Sequence, residues 1–265
     1  MYKVIFSDMD STLLCDDKSI CKRNVEAIKK AEELGVHFVL CTGRVAYGIK
    51  QFADVINISN AVTTNGSLVY SDGKKIRSNC INREDAINLV NYAIDNDEYL
   101  RLFAEDCLYC MNVDKNPVNS NYYNIVENIT KEKALEFAKT LDIIKIGFFQ
   151  KRERCIEMRE DFKKIAPNVD ALFSGKEFLD IVVKGDDKGV GAKAFCEYNH
   201  IDLSEAIGIG DEENDHSMLK MVGLSCAPIN ATKQTKDICK YITTANNNEG
   251  AVAEVIEKFI LNNQC

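Results

Sequence analysis

Short apolar runs that stop abruptly at polar residues constrain the fold of this chain more than any other feature. The run "VIFS" leads into "DMD" at 8–10, "VHFVLC" leads into "TGR" at 42–44, and "AIGIG" leads into "DEEND" at 211–215. Apolar runs without alternation are typical of strands that are buried on both faces of a sheet. Residues at helical spacing separate the first two runs, so strand–helix–strand alternation predicts right-handed crossovers and a parallel sheet.

The order of the predicted elements changes in the middle of the chain. Segments 1–82 and 186–265 alternate strands and helices, whereas segment 83–185 combines paired strands with helices. A chain of 265 residues with 46% hydrophobic residues can bury two cores. We therefore predict an α/β protein with a Rossmann-like parallel-sheet core, formed by the discontinuous segments 1–82 and 186–265, and an inserted α+β cap domain at 83–185.

The composition argues against several classes of partner. A net charge of −8 and a pI near 5.1 do not suit a nucleic-acid binder or a protein of the membrane surface. The sequence contains no apolar stretch of transmembrane length and no secretion signal. Its eleven cysteines are scattered and odd in number, which favours reduced thiols over a disulfide framework. We expect a cytoplasmic protein without nucleic-acid or membrane partners, in which the C-x-x-C at 107–110 is structural.

Acidic residues are expected to gather at one edge of the predicted sheet, because ligands of open parallel sheets bind outside the carboxyl ends of the strands. This rule brings Asp8 and Asp10 close to Asp211 and Asp215, and Lys188 begins the helix that leads into the last of these strands. Four carboxylates beside one lysine require a further positive charge. Mg²⁺ prefers such oxygen ligands, whereas the three histidines lack the spacing of a zinc site. The sequence therefore predicts a magnesium site.

Four segments carry a resemblance to a known family. "DMDST" at 8–12, "TGR" at 42–44, Lys188 in "DKG" and "GDEEND" at 210–215 resemble the four motifs of the haloacid dehalogenase (HAD) superfamily. Their order and separations are similar to those of the Cof-type sugar phosphatases. The resemblance covers the core, and the insert resembles the cap of that group in length and position.

The resemblance implies a catalytic role for each of four residues. Asp8 would attack phosphorus and form an aspartyl-phosphate. Asp10 would protonate the leaving group and then deprotonate the hydrolytic water. Thr42 and Lys188 would hold the phosphoryl oxygens. The cap would exclude water and contact the leaving group.

The resemblance also implies a set of binding residues. Mg²⁺ would be held by the Asp8 carboxylate, the backbone carbonyl of Asp10, Asp211 and Asp215. The substrate, a small phosphorylated metabolite and preferably a sugar phosphate, would be bound by Thr42, Gly43, Arg44, Asn65, Lys188 and Asn214.

Several alternatives stay open at this level. Arg44 either reaches the substrate or pairs with a nearby acid, and Asn65 either recognises the substrate or is a turn residue before Gly66. The expected reaction, as the resemblance implies, is phosphatase hydrolysis, with a phosphomutase on the same core as the alternative. A receiver-like switch that keeps its phosphoryl group is a second alternative, although such a switch needs neither Asp10 nor a large insert.

Overall fold

The secondary structure follows the alternation of the sequence. The structure, a computed structural model, describes residues 2–104, 107–116, 126–173 and 177–262. The strands are β1 Val4–Ser7, β2 His37–Cys41, β3 Ala61–Thr63, β4 Leu68–Ser71, β5 Lys74–Ser78, β6 Leu100–Phe103, β7 Leu108–Met111, β8 Val126–Asn128, β9 Lys145–Phe149, β10 Val169–Phe173, β11 Phe178–Val183, β12 Ala206–Ile209, β13 Leu224–Ala227 and β14 Tyr241–Ile242. The helices are α1 Lys22–Glu33, α2 Ala46–Ile49, α3 Arg83–Asp95, α4 Lys131–Thr140, α5 Arg152–Ile165, α6 Lys188–Tyr198, α7 His216–Met221, α8 Lys233–Ile238 and α9 Ala251–Ile256.

The contacts divide the chain into two compact units. The core unit comprises the described residues of Met1–Arg44, Ile49–Ser78 and Asp187–Cys265, and the inserted unit comprises those of Val45–Gly48 and Asn79–Asp186. The boundaries at 78/79 and 186/187 lie within four residues of 82/83 and 185/186, the positions that the order of elements in the sequence predicts. The segment Val45–Gly48 belongs to the inserted unit because Val45 and Tyr47 pack against apolar residues of its sheet.

The sheet of the core unit has the order β14-β13-β12-β1-β2-β3-β4-β5. The strands from β14 to β3 are parallel to one another. Strand β4 pairs with β3 in antiparallel orientation, and the hairpin β4–β5 completes this antiparallel edge. Strand β1 is buried on both faces: Ile5 packs with residues of α1 and α9, and Val4 and Phe6 pack with residues of α6 and α7. This double burial explains the unbroken apolar run, since each such side chain contributes about 1.5–3 kcal/mol.

The sheet of the inserted unit has the order β10-β11-β9-β6-β7-β8 and is antiparallel except for the pair β7–β8. Its strands alternate strictly. Leu100, Leu102, Ile146 and Phe148 pack with the helices α3, α4 and α5 on one face. The intervening residues of β6, β9 and β11 therefore lie on the opposite face.

The predicted fold class, an α/β protein with a parallel-sheet core and a second, inserted sheet, is confirmed. Within the part of the chain that the structure describes, the helices are too short or too polar to span a bilayer.

Candidate active site

Asp8 lies at the carboxyl end of β1, where its backbone is tied to the neighbouring strand. Its N–H donates to the Ile209 carbonyl at 2.9 Å, which continues the parallel pairing of β1 with β12 beyond Ser7. The Asp8 side chain is buried, and one carboxylate oxygen lies 2.5 Å from Lys188 Nζ. The strand end therefore presents the carboxylate directly to a fixed cation.

Lys188 is the first residue of α6 and is completely buried. The side chain of Asp187 caps this helix by accepting from the Val190 N–H at 2.8 Å. Lys188 Nζ lies 2.6 Å from Asp215 Oδ1 in addition to its contact with Asp8. Burial by itself lowers the pKa of the lysine, but the attraction of Asp215 and Asp8 outweighs burial and raises this pKa above its ordinary range. Lys188 is thus a permanently charged centre of the cluster.

Helix α6 packs closely against β3 and the turn after it, because Gly191 on the helix has no side chain. A Cβ added to Gly191 would lie 2.4 Å from Val62 Cγ1 and 2.9 Å from Gly66 Cα. A side chain at 191 would therefore push the helix, with Lys188 in its first turn, away from β3.

We predict that Gly191→Ala lowers the free energy of unfolding by about 1–3 kcal/mol through overpacking. Turnover should fall as well, because the displaced helix carries Lys188. Chemical denaturation and steady-state kinetics measure the two effects. Lys193→Ala, on an exposed position of the same helix, is the control, and an equal loss in both variants would contradict this role of the glycine.

Asp211 and Asp215 lie in the loop after β12. Asp215 Oδ2 accepts from the N–H groups of Asp211 at 2.9 Å and Glu212 at 3.1 Å, so this buried carboxylate organises the loop. The Thr12 hydroxyl donates to Asp211 Oδ1 at 2.8 Å. Ligand oxygens of Asp8, Asp211 and Asp215 all lie within 4.8 Å of one another.

The charge of this cluster is unbalanced, because three carboxylates surround one lysine. Burial, opposed by Lys188, raises the pKa of Asp8 to about 7. Burial and the neighbouring Asp8 and Asp215 also raise the pKa of Asp211 well above its ordinary value. A divalent cation would relieve this repulsion, and an all-oxygen donor set suits a hard cation. The residues present therefore fit a metal ion.

Asp10 points its carboxylate to two cations. Arg44 binds it with Nε at 2.8 Å from Oδ2 and Nη2 at 2.8 Å from Oδ1, and Lys18 Nζ lies 2.9 Å from Oδ1. Burial alone would raise the pKa of Asp10, but the hydrogen bonds and charges of Arg44 and Lys18 lower it to about 2. The sequence allows Arg44 either to reach the substrate or to pair with a nearby acid. The structure shows the pairing with an acid, Asp10. The predicted metal contact of Asp10 involves its backbone carbonyl and stays a prediction.

Thr42 and Gly43 follow directly after β2. The Thr42 N–H donates to the Val62 carbonyl at 2.8 Å, and its hydroxyl accepts from the Arg44 N–H at 3.1 Å. Gly43 lies between Thr42 and Arg44 in this turn. The loop is thus fixed by β3 on one side and by its own hydrogen bond on the other.

Asn65 is the centre of a strained turn after β3. Thr64, Asn65 and Gly66 have φ values of +55°, +50° and +96°, and a β-branched residue such as Thr64 rarely adopts positive φ. Asn65 N–H donates to the Thr42 carbonyl at 3.1 Å, and Asn214 Nδ2 donates to Asn65 Oδ1 at 3.0 Å. Asn65 therefore links the loops after β2, β3 and β12, and is more than a turn residue.

Sequence reasoning missed two members of the site. Thr12 belongs to the quoted "DMDST", and its hydroxyl beside two carboxylates was an available signal. Lys18 lies in a following turn, and nothing in its sequence context indicated that it would bind Asp10.

Comparisons with known proteins identify the family of this chain. A model of the haloacid dehalogenase-like hydrolase family matches residues 5–256. The chain is 29% identical over 257 residues to the phosphoglycolate phosphatase of Methanobrevibacter smithii, covering 96% of this chain and 97% of the relative. It is 25% identical over 262 residues to a 5-amino-6-(5-phospho-D-ribitylamino)uracil phosphatase of Bacillus subtilis, covering 98% and 96%.

A solved structure of a HAD subclass IIB sugar phosphatase has the same fold. Its TM-score is 0.84 at 22% identity, over 97% of this chain and 98% of that chain. The predictions of the family and of an enzyme of phosphatase type are confirmed, and a receiver-like switch is not supported. The chain belongs to the haloacid dehalogenase-like hydrolase family.

Proposed function

We propose that this protein is a Mg²⁺-dependent phosphatase that hydrolyses small phosphorylated metabolites, preferably sugar phosphates, through an aspartyl-phosphate intermediate. The observation that carries the proposal is the group formed by the buried Asp8, Asp215 and Lys188 and the half-buried Asp211 at the carboxyl ends of parallel strands. The names of the relatives support the substrate class, because phosphoglycolate and a phosphorylated ribitylaminouracil are both small phosphorylated metabolites.

Asp8 is the proposed nucleophile. An oxygen of its carboxylate forms a bond to phosphorus while the ester P–O bond breaks, and water then hydrolyses the acyl-phosphate. The contact with Lys188 fixes the orientation of the carboxylate. Lys188 and the Thr42 hydroxyl stabilise the phosphoryl oxygens as negative charge moves towards the leaving group.

Asp10 is the proposed acid and base. It protonates the departing alkoxide and later accepts a proton from the hydrolytic water. The pKa of Asp10 is about 2 while Arg44 and Lys18 bind it, so its carboxyl group is ionised. To donate a proton to the leaving group, Asp10 must first be protonated, which requires that these contacts loosen when substrate is bound. Arg44 and Lys18 therefore position Asp10 as well as hold it ionised.

The proposed magnesium ligands are Asp8, the backbone carbonyl of Asp10, Asp211 and Asp215. A bound Mg²⁺ supplies positive charge to the phosphoryl oxygens. Asp215 fixes the loop through the N–H groups of Asp211 and Glu212, and Asn214 holds it to Asn65. The inserted unit is proposed to act as a cap that selects the leaving group and excludes water.

A panel of phosphorylated sugars, nucleotides and cofactors tests this function. We expect phosphate release that requires added Mg²⁺ and is fastest with a sugar phosphate. Release without a bisphosphate activator distinguishes the phosphatase from a phosphomutase. Isomerised sugar phosphate without free phosphate, or activity that persists in excess chelator, would overturn the proposal.

Asp10→Asn provides a separate prediction about proton transfer. With para-nitrophenyl phosphate, whose leaving group needs no proton, the variant should release about one equivalent of nitrophenolate rapidly. Steady-state turnover should then fall by roughly 10²–10⁴-fold, because no base activates water. Rapid-mixing absorbance measures both phases, and the exposed Asp17→Asn is the control. A loss of the rapid phase together with turnover would contradict the assignment.

A further inference from the structure

A tight turn after Asp10 carries a lysine in a strained conformation. Leu14 and Ile20 pair in antiparallel orientation. Between them, the Lys18 N–H donates to the Cys15 carbonyl at 2.9 Å, which closes the turn. The φ of Lys18 is +68°, in the left-handed region that residues with a side chain rarely adopt. Such strain persists only where the surrounding structure imposes it, and it is concentrated at functional sites.

The acidic residues of this turn have their own hydrogen-bond donors. The donors are the side-chain amides of Asn247 and Asn248 for Asp16, and the N–H and hydroxyl of Ser19 for Asp17. These bonds lower the pKa of both carboxyl groups, and the charge of Lys18 lowers the pKa of Asp16 further. The Lys18 ammonium itself extends to Asp10, whose Oδ1 lies 2.9 Å from Nζ. The strained lysine therefore points to the proposed acid and base.

Two cations bind Asp10, and they differ in how firmly they are held. Arg44 binds both carboxylate oxygens, its side chain is 8% exposed, and its guanidinium carbon lies 5.5 Å from the Phe52 ring centroid. The Lys18 side chain is 40% exposed, and its Nζ binds Oδ1. An ion pair at such an exposed position contributes about 0–1 kcal/mol. Lys18 is therefore the cation that can exchange Asp10 for another anion at little cost.

The position of Asp10 also determines where the leaving group begins. In the proposed mechanism Asp10 protonates the ester oxygen, so the two groups must come within hydrogen-bond distance. Because Lys18 Nζ binds the same carboxylate, the ester oxygen and Nζ lie about 4–7 Å apart. A substituent on the ester carbon, or on the carbon next to it, spans this distance. Asp10, Lys18 and Arg44 all belong to the core unit.

We propose that Lys18 determines substrate specificity by binding an acidic group, a carboxylate or a second phosphate, that the substrate carries close to its ester oxygen. The proposal rests on the proposed phosphatase function. When such a substrate binds, the Lys18 ammonium donates to the acidic group in place of Asp10 Oδ1, while Arg44 keeps its two hydrogen bonds to Asp10. The preferred substrates are thus phosphorylated hydroxy acids or bisphosphates with neighbouring phosphate groups.

The test compares four esters of one three-carbon skeleton: glycerol 2-phosphate, 2-phosphoglycerate, glycerol 1,2-bisphosphate and the analogue of glycerol 2-phosphate with one aminomethyl group. For the wild type we expect kcat/KM to be roughly 10–100-fold higher for one acidic ester than for glycerol 2-phosphate, as for one charged hydrogen bond. The glycerate and the bisphosphate show which anion is bound. Lys18→Met should remove this preference, and Lys18→Glu should shift it towards the aminomethyl ester.

A matched control is Lys22→Met, because Lys22 on α1 is 90% exposed and pairs with Glu26 on its own helix. This variant should keep the wild-type preference. A wild type without preference, or a Lys18→Glu variant that still prefers an acidic ester, would overturn the assignment. An equal loss on all four esters in Lys18→Met would overturn it too, because the lysine would then act only through Asp10.

Equilibrium binding decides the matter if Lys18→Met is too slow to measure. Calorimetry on Asp8→Asn, which keeps the binding groups without turnover, should give a roughly 10–100-fold lower Kd for the preferred acidic ester than for glycerol 2-phosphate. Adding Lys18→Met should make the two Kd values equal, and a preference that persists in the double variant would contradict the role of the lysine. Failure of the wild type to hydrolyse any ester would refute the phosphatase function instead.

Discussion

Asp8→Asn is expected to reduce phosphatase turnover by at least about 10³-fold, the scale seen when an enzyme loses its nucleophile. Asparagine keeps the shape of the side chain, but its amide cannot form the acyl-phosphate. The expected loss appears in kcat for every substrate, since the same bond to phosphorus forms in each reaction. Steady-state phosphate release on a sugar phosphate and on an aryl phosphate measures it.

The variant should fold, because it removes one negative charge from a group in which three carboxylates face one lysine. Thermal unfolding therefore separates loss of chemistry from loss of structure. Asp237→Asn, at an exposed position on α8, is the control and should retain wild-type turnover. Wild-type rates in Asp8→Asn would defeat the assignment of the nucleophile.

Lys188→Met should have the largest effect on stability. Removing one partner of a buried ion pair costs about 3–5 kcal/mol, because the remaining charges are left uncompensated. Here Asp8 and Asp215 both lose their cation. We expect the free energy of unfolding at neutral pH to fall by that amount, and turnover to fall by roughly 10²–10³-fold through loss of electrostatic stabilisation.

The loss of unfolding free energy in Lys188→Met, which we call the deficit, should depend on pH. The pKa of Asp8 is raised from 3.8 to about 7 in the folded wild type, so its protonated form is favoured by folding. The stabilisation from this group is complete below pH 4 and is lost as the pH rises towards 7. Without Lys188 the pKa of Asp8 rises further, so the deficit of the variant should shrink as the pH falls. Denaturation of metal-free protein across this range measures it.

Lys193→Met is the control for the same chemical change on α6. Its Nζ lies 3.7 Å from Glu197 at an exposed position, and such pairs contribute less than about 1 kcal/mol. A deficit in Lys188→Met that is no larger than in this control, or that grows as the pH falls, would contradict the electrostatic description of the site.

The sequence predicted the architecture where local patterns carry the information. Continuous apolar runs identified the buried strands β1, β2 and β12. A strand that is buried on both faces has apolar residues at every position, whereas a strand with one exposed face alternates apolar and polar residues. The carboxyl-end rule then brought Asp8 and Asp211 to one edge, where the structure also has them. Their catalytic and metal-binding roles remain proposals from the resemblance.

Pairings between distant residues could not be predicted in the same way. Asp10 has Arg44 and Lys18 as partners, and the choice depends on the path of a turn with no sequence signal. The membership of Val45–Gly48 in the inserted unit follows from packing against a sheet more than fifty residues away.

The most direct measurement is the site of phosphorylation during turnover. Wild-type protein, mixed with Mg²⁺ and a substrate and quenched in acid within the first turnover, is digested and analysed by mass spectrometry. A phosphoryl group on the peptide that contains Asp8, absent in Asp8→Asn, is the predicted result. Rapid substrate hydrolysis with no phosphorylated peptide, or with the phosphoryl group on another residue, would contradict the proposed chemistry.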